Sequence, residues 1–183
     1  MLEADRESVK RGVVYHAVQY AVVWRPEAPL KAPDQRGSSM MTTRPAKYDD
    51  FEVVSRLLTE LGRTPLDGGN EEWFRSIYRT QIEDPSCCHL VAELDGSVVG
   101  FCSLHFRHRL NRARPEGWIP DLIVDPAVRR RGVGRALLEE AARRSRAAGC
   151  FELDLESGAQ RREAHEFYRS AGMAEGLAFV LRL

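Results

Sequence analysis

The stretch Val124-Asp125-Pro126-Ala127-Val128-Arg129-Arg130-Arg131-Gly132-Val133-Gly134-Arg135-Ala136-Leu137 constrains this chain more than any other. It reads as an apolar strand running through a turn into a helix whose first residues are glycine and arginine. Arg129, Gly132 and Gly134 fall at the spacing Arg-x-x-Gly-x-Gly. Two residues without a Cβ leave backbone N–H groups open where a helix begins, and there the helix dipole favours negative charge. The predicted feature is therefore an anion site that suits a diphosphate, with Arg129, Arg130, Arg131 and Arg135 as the arginines placed to contact phosphate.

Two common phosphate-binding classes do not fit. A dinucleotide fingerprint needs Gly-x-Gly-x-x-Gly/Ala, and the third position here is Leu137; a P-loop needs Gly-Lys-Ser/Thr, which occurs nowhere in the chain. At 183 residues the chain suits one domain with a real core. Lys plus Arg and Asp plus Glu both total 27, so net charge argues for neither a nucleic-acid nor a membrane partner. No run of 18 apolar residues predicts a membrane span. The cysteines Cys87, Cys88, Cys102 and Cys150 show no Cys-x-x-Cys spacing and no nearby histidine pattern, so no metal site is expected and a reducing, cytoplasmic compartment is.

Residues 1–39 read as an N-terminal extension, a linker or an upstream start, because Pro26, Pro29, Pro33 and Gly37-Ser38-Ser39 break the pattern before Met40-Met41. Residues 40–183 carry the periodic sequence. A short strand at Thr42 to Ala46 precedes a helix opened by Asp49 or Asp50 and ended by Gly62. A second helix from Asn70 sets Trp73, Phe74, Ile77 and Tyr78 on one side. Asp95-Gly96 between two apolar runs is a hairpin signal. Further strands are predicted at Trp118 to Val124, Phe151 to Glu156 and Ala178 to Leu183. Helices are predicted at Val133 to Ala148 and after a capping-box pattern, Ser157-x-x-Gln160. This element order is mixed α/β.

The glycine turn, with its preceding Val-Asp-Pro and following Ala-Leu-Leu, resembles motif A of the GCN5-related N-acetyltransferases (GNAT). The last helix, Arg161-Arg162-Glu163-Ala164-His165-Glu166-Phe167-Tyr168, resembles that family's Asn-x-x-Ala-x-x-Phe-Tyr, with Arg161 where asparagine is usual. Leu94-Asp95-Gly96-Ser97-Val98-Val99-Gly100, Leu104-His105 and Asp121-Leu122 are similar to the aminoalkylphosphonate and aminoglycoside-type members. The resemblance implies a central, mostly antiparallel twisted sheet of six to seven strands flanked by four helices. It implies acetyl-CoA as co-substrate and a small-molecule amine as acceptor, and it admits a homodimer.

The resemblance also implies roles. Backbone N–H groups of Leu122, Ile123 and Val124 would polarise the thioester. The turn from Arg129 through Arg135, with Gly132, Val133 and Gly134, would bind the pyrophosphate, and Arg161 and Ala164 would line the cofactor site. Tyr168 matches the position that protonates the departing thiolate, against the alternative of an interior aromatic. The general base is open: relatives carry Glu or His where this chain has Trp118 and Pro120, leaving Asp121, His105, Glu116, His108 or ordered water. Asp67, Glu71 and Glu72 suit a cationic acceptor, whereas Arg107, Arg109, Arg112 and Arg114 suit an anionic one. An acyl-CoA-binding sensor without turnover and a protein-modifying acetyltransferase are the competing functions.

Overall fold

The computed structural model describes the backbone of residues 19–24 and all of residues 40–178. In chain order the elements are β1 (Gln19–Trp24), β2 (Met41–Pro45), α1 (Phe51–Glu60), α2 (Glu71–Glu83), β3 (Leu90–Leu94), β4 (Ser97–Arg107), β5 (Glu116–Val124), α3 (Val133–Ala147), β6 (Leu153–Gly158), α4 (Arg162–Ser170) and β7 (Met173–Ala178). The strands form one seven-stranded sheet in the order β2-β3-β4-β5-β6-β1-β7. Every neighbouring pair is antiparallel except β5 and β6. The expected mixed α/β architecture, a mostly antiparallel sheet with four helices, is the observed one.

Alternation along the strands builds a core on each face. Leu90, Ala92, Cys102, Leu104 and Ile119 pack against Val133, Leu137 and Ala141 of α3. Val91, Phe101 and Ile123 point the other way, onto Phe51, Val54 and Leu57 of α1 and Tyr78 of α2. The β3–β4 hairpin turns on Asp95 and Gly96, both at positive φ (52° and 81°), as the Asp-Gly pair predicts.

The feature that shapes the site is a bulge in β5. Ser103 pairs with Asp121, but His105 pairs with Trp118, so Ile119 and Pro120 together oppose Leu104. Pro120 has no N–H to donate and is tolerated at such a point. Parallel pairing with β6 ends at Ile119↔Leu155, and beyond it the two strands separate.

Three local expectations need correction, and a fourth falls mostly outside the described residues. Gln19–Trp24, within the segment read as an extension, pairs with β6 on one side and β7 on the other; its Tyr-Ala-Val-Val-Trp run has strand-forming residues that the proline-rich stretch after it masked. The predicted capping box fails because Ser157 completes β6; α4 starts at Arg162 behind Arg161, without a side-chain cap. Trp73 is exposed (60%) and only edges onto Phe74 at 4.9 Å. The structure shows β7 as Met173–Ala178, and a strand predicted from Ala178 to Leu183 lies, beyond its first residue, outside the described residues.

Gly117 shows how tightly α3 sits on the sheet. A Cβ there would stand 2.5 Å from Ser145 Oγ and 2.9 Å from Leu153 Cδ1. Gly117→Ala is expected to destabilise the fold by roughly 1–3 kcal/mol through overpacking. A thermal melt should fall by about 2–4 °C for each kcal/mol; an unchanged melting temperature would contradict this packing.

Candidate active site

The separation of β5 from β6 leaves backbone groups of β5 without a strand partner. Asp125 N–H donates to Val99 O at 2.8 Å, which makes 125↔99 a hydrogen-bonded pair of the ladder. By alternation Ile123 and Asp121 also spend their backbone groups on β4, whereas Leu122 and Val124 turn theirs toward the opening. Consistent with this, the Val124 carbonyl accepts from Arg129 Nε at 3.5 Å.

The opening widens into a cavity of about 900 Å³ between β5, α1, α3 and α4. Of the residues singled out from the sequence, Leu122, Ile123, Val124, Arg129, Arg130, Gly132, Val133, Gly134, Arg135, Arg161, Ala164 and Tyr168 all line it. Arg131 does not. The end of α1 (Glu60 and Leu61), together with Gln160 and Phe167, completes the wall, a contribution that sequence spacing does not show.

The α3 N-terminus forms one end of this cavity. Gly132 is its N-cap at φ 83°, no side chain caps it, and the first helical bond is Ala136 N–H to Gly132 O. The amides of the first turn are therefore left for a ligand, and Arg129, Arg130 and Arg135 surround them. Gly134 plays a different part, since a Cβ there would sit 3.5 Å from Val124 Cγ2 and 3.6 Å from Phe167 Cζ, on the cavity wall. Arg161, at the start of α4, donates to the Leu61 carbonyl, tying that helix to the end of α1.

Tyr168 is 7% exposed and packs beside Phe167 at 5.2 Å. Burial pushes its phenol well above the ordinary range, so it holds its proton at neutral pH.

Asp121 and His105 lie outside the lining of this cavity, on the sheet face that carries α1 and α2; the bulge turns Asp121 there, and His105 is there by plain alternation with Phe101 along β4. Asp121 Oδ1 accepts from Arg63 Nε at 2.7 Å, and Arg63 also donates to the Pro120 carbonyl at 3.1 Å. His105 has both ring nitrogens engaged: Nδ1 with Cys87 Sγ at 3.3 Å and Nε2 with Ser103 Oγ at 3.0 Å. Burial lowers its pKa, and burial holds neighbouring His89 down at about 4. The other candidate bases are occupied or remote. Glu116 is 1% exposed between Arg107 at 2.7 Å and Arg109 at 2.5 Å, and His108 is exposed.

The two charged clusters also prove to be mainly structural. Arg107 and Arg109 hold Glu116 and Asp154, whose carboxyl is raised to about 6 by burial, and Arg107 also covers the Trp118 ring at 4.3 Å. Arg112 lies over Phe151, and Arg114 donates to the carbonyls of Gly149 and Cys150. Asp67 binds the amides of Gly69 and Asn70, and Glu71 pairs with Arg75. Most of the charged side chains in both clusters are thus engaged within the fold.

Splayed strands beside an uncapped, glycine-opened helix form one anion-accepting cleft in a mixed α/β fold. The chain matches the Acetyltransferase (GNAT) family over residues 54–173, and it belongs to that family. It is 34% identical over 129 residues to the aminoalkylphosphonate N-acetyltransferase of Salmonella typhimurium, covering 70% of this chain and 82% of that one. Against the aminoglycoside N(6')-acetyltransferase type 1 of Stenotrophomonas maltophilia it is 35% identical over 142 residues, covering 75% and 89%. An aminoglycoside N-acetyltransferase solved with CoA shares the fold, with a TM-score of 0.69 at 20% identity, covering 82% of this chain and 98% of the other. The protein is an N-acetyltransferase that moves an acetyl group to an amine.

The two glycines of the turn should separate in experiment. Gly132→Ala forces a Cβ into the left-handed region at a cost of about 1–2 kcal/mol, seen as a lower denaturation midpoint. Gly134→Ala should leave that midpoint within about 0.5 kcal/mol of the parent, the usual range for a change that creates no clash. Equal losses at both positions would contradict the division of labour.

Proposed function

We propose that the enzyme transfers the acetyl group of acetyl-CoA to a primary amine of a small molecule by direct attack on the thioester. The observation that carries this reading is that the open amides of β5 and those of the α3 N-terminus border one cavity. The first turn of α3, with Arg129, Arg130 and Arg135, would hold the pyrophosphate, and the Leu122 and Val124 amides would align the pantetheine and polarise the carbonyl. Relatives of matching length that bear small-molecule amine acceptors in their names support the acceptor class.

The chemistry then needs a proton taken and a proton given. Tyr168 is a protonated phenol on the cavity wall and would protonate the departing thiolate. Asp121 is the better base of the two predicted, because Arg63 occupies Oδ1 and no described residue bonds Oδ2. It directly precedes Leu122 on the strand, so an amine approaching from the α1–α2 face meets its carboxylate before the carbonyl. His105 lacks a free ring nitrogen for this task.

A screen of small amines with acetyl-CoA, followed by thiol release, tests the proposal. Saturable turnover of at least one is expected, and CoA binding without turnover of any amine would favour a sensor. With an acceptor in hand, Tyr168→Phe keeps the ring and removes the hydroxyl. It should melt near the parent and lose about 10²-fold in kcat, the low end for lost acid catalysis. Equal kcat with a lowered melting temperature would assign Tyr168 to the core alone.

A further inference from the structure

Outside the cavity, the face of the sheet beneath α2 carries a chain of polar side chains that the transfer reaction does not use. Cys87 and His89 stand two residues apart on extended backbone, so they project to the same face. The hairpin then brings in His105. Cys87 forms a β-bridge with it, flanked by Cys88 N–H to Leu104 O and Phe106 N–H to Ser86 O, both 2.7 Å. Cys87 Sγ lies 3.3 Å from His105 Nδ1, and one donor atom from each of Cys87, His89 and His105 falls within 4.8 Å of the others.

We propose that Cys87, His89 and His105 form a binding site for a borderline-soft divalent cation of the Zn²⁺ type. One thiolate and two imidazoles are the donors such ions select over carboxylate-only sets. Ligands bound tetrahedrally at about 2.0–2.3 Å stand roughly 3.5 Å apart. The Cys87–His105 spacing already suits this, and the wider spacings close by side-chain rotation, for which half-buried Cys87 and His105 have room.

The surroundings supply what ligating histidines need. Gln81 Oε1 lies 2.9 Å from His89 Nε2 and accepts its hydrogen, which leaves the lone pair on Nδ1, facing the cluster. A hydrogen bond of this kind fixes the tautomer and ring orientation of a metal ligand. Ser103 Oγ lies 3.0 Å from His105 Nε2 and accepts its hydrogen, which leaves the His105 Nδ1 lone pair toward Cys87; its 3.2 Å contact with His89 Nδ1 is the one the ion would replace. Three protein ligands leave a fourth position open on the exposed side of Cys87 and His105. Because Ser103 pairs with Asp121, the ion would add positive charge to the face from which the acceptor approaches. Residues Cys87 and His105 are half-buried and His89 is buried, so the ion enters past the first two.

The test uses the full chain, stripped with a chelator and titrated anaerobically with Co²⁺ in the absence of acetyl-CoA and acceptor, so its outcome is independent of the transfer reaction. One Co²⁺ per chain should bind with a sulfur-to-cobalt charge-transfer band, and Zn²⁺ should displace it and raise the melting temperature. Cys87→Ser, a conservative change at a half-buried position, should abolish the band and the Zn²⁺-dependent shift. Cys88→Ser should leave both intact, because Cys88 packs toward the α3 core. Gln81→Ala, which removes only the support of His89, should weaken Co²⁺ by about 10- to 100-fold. A parent protein without the band, or a Cys87→Ser variant that retains it, would show a hydrogen-bonded network and no metal site.

Discussion

One extra residue in β5 governs this protein. Because Ile119 and Pro120 share a single partner on β4, the strand bends at the point where its parallel pairing with β6 stops. A sheet without that bulge would keep every backbone group of β5 in a ladder, and no amide would be left for a ligand. The bulge also reverses which residues face which layer, so Ile119 and Leu122 both reach the α3 core while Asp121 turns to the opposite face. The cavity and the candidate base thus come from one irregularity, on opposite sides of the same strand.

The second element, the uncapped start of α3, depends on the first. An open helix N-terminus exposed to solvent binds anions weakly, and its effect decays within a turn. Here it faces the amides of β5 across a cavity that α1 and α4 close, and Arg161 ties those helices together through the Leu61 carbonyl. Gly132 sets the backbone geometry, whereas Gly134 keeps the wall thin beside Val124 and Phe167.

What the sequence reveals is what is local. The Asp95-Gly96 hairpin, the glycine turn and the periodicity of α1 and α3 each depend on a few adjacent residues, and each is found as expected. Nearly all the residues assigned to the cofactor turn line one cavity for the same reason. The bulge is not local, because it exists only in the register between β4 and β5. So Asp121 could be named as a candidate but not placed. The contacts of the arginine loop are hidden for a related reason: its partners Glu116, Asp154 and the carbonyls near Gly149 arrive from other strands and turns. β1 lies even farther from its neighbours along the chain, and Ser157 looks like a cap until its pairing in β6 is known. Cys87 and His89 are near neighbours in sequence, but His105 joins them only after the hairpin closes.

The central claim is that the freed β5 amides and the first turn of α3 form one cofactor site. Amide chemical shifts of ¹⁵N-labelled protein titrated with acetyl-CoA test it most directly. The account predicts saturable shifts at Leu122, Val124 and Gly132 through Arg135, in fast or slow exchange with a single dissociation constant. Binding that moved other amides and left these in place would contradict it.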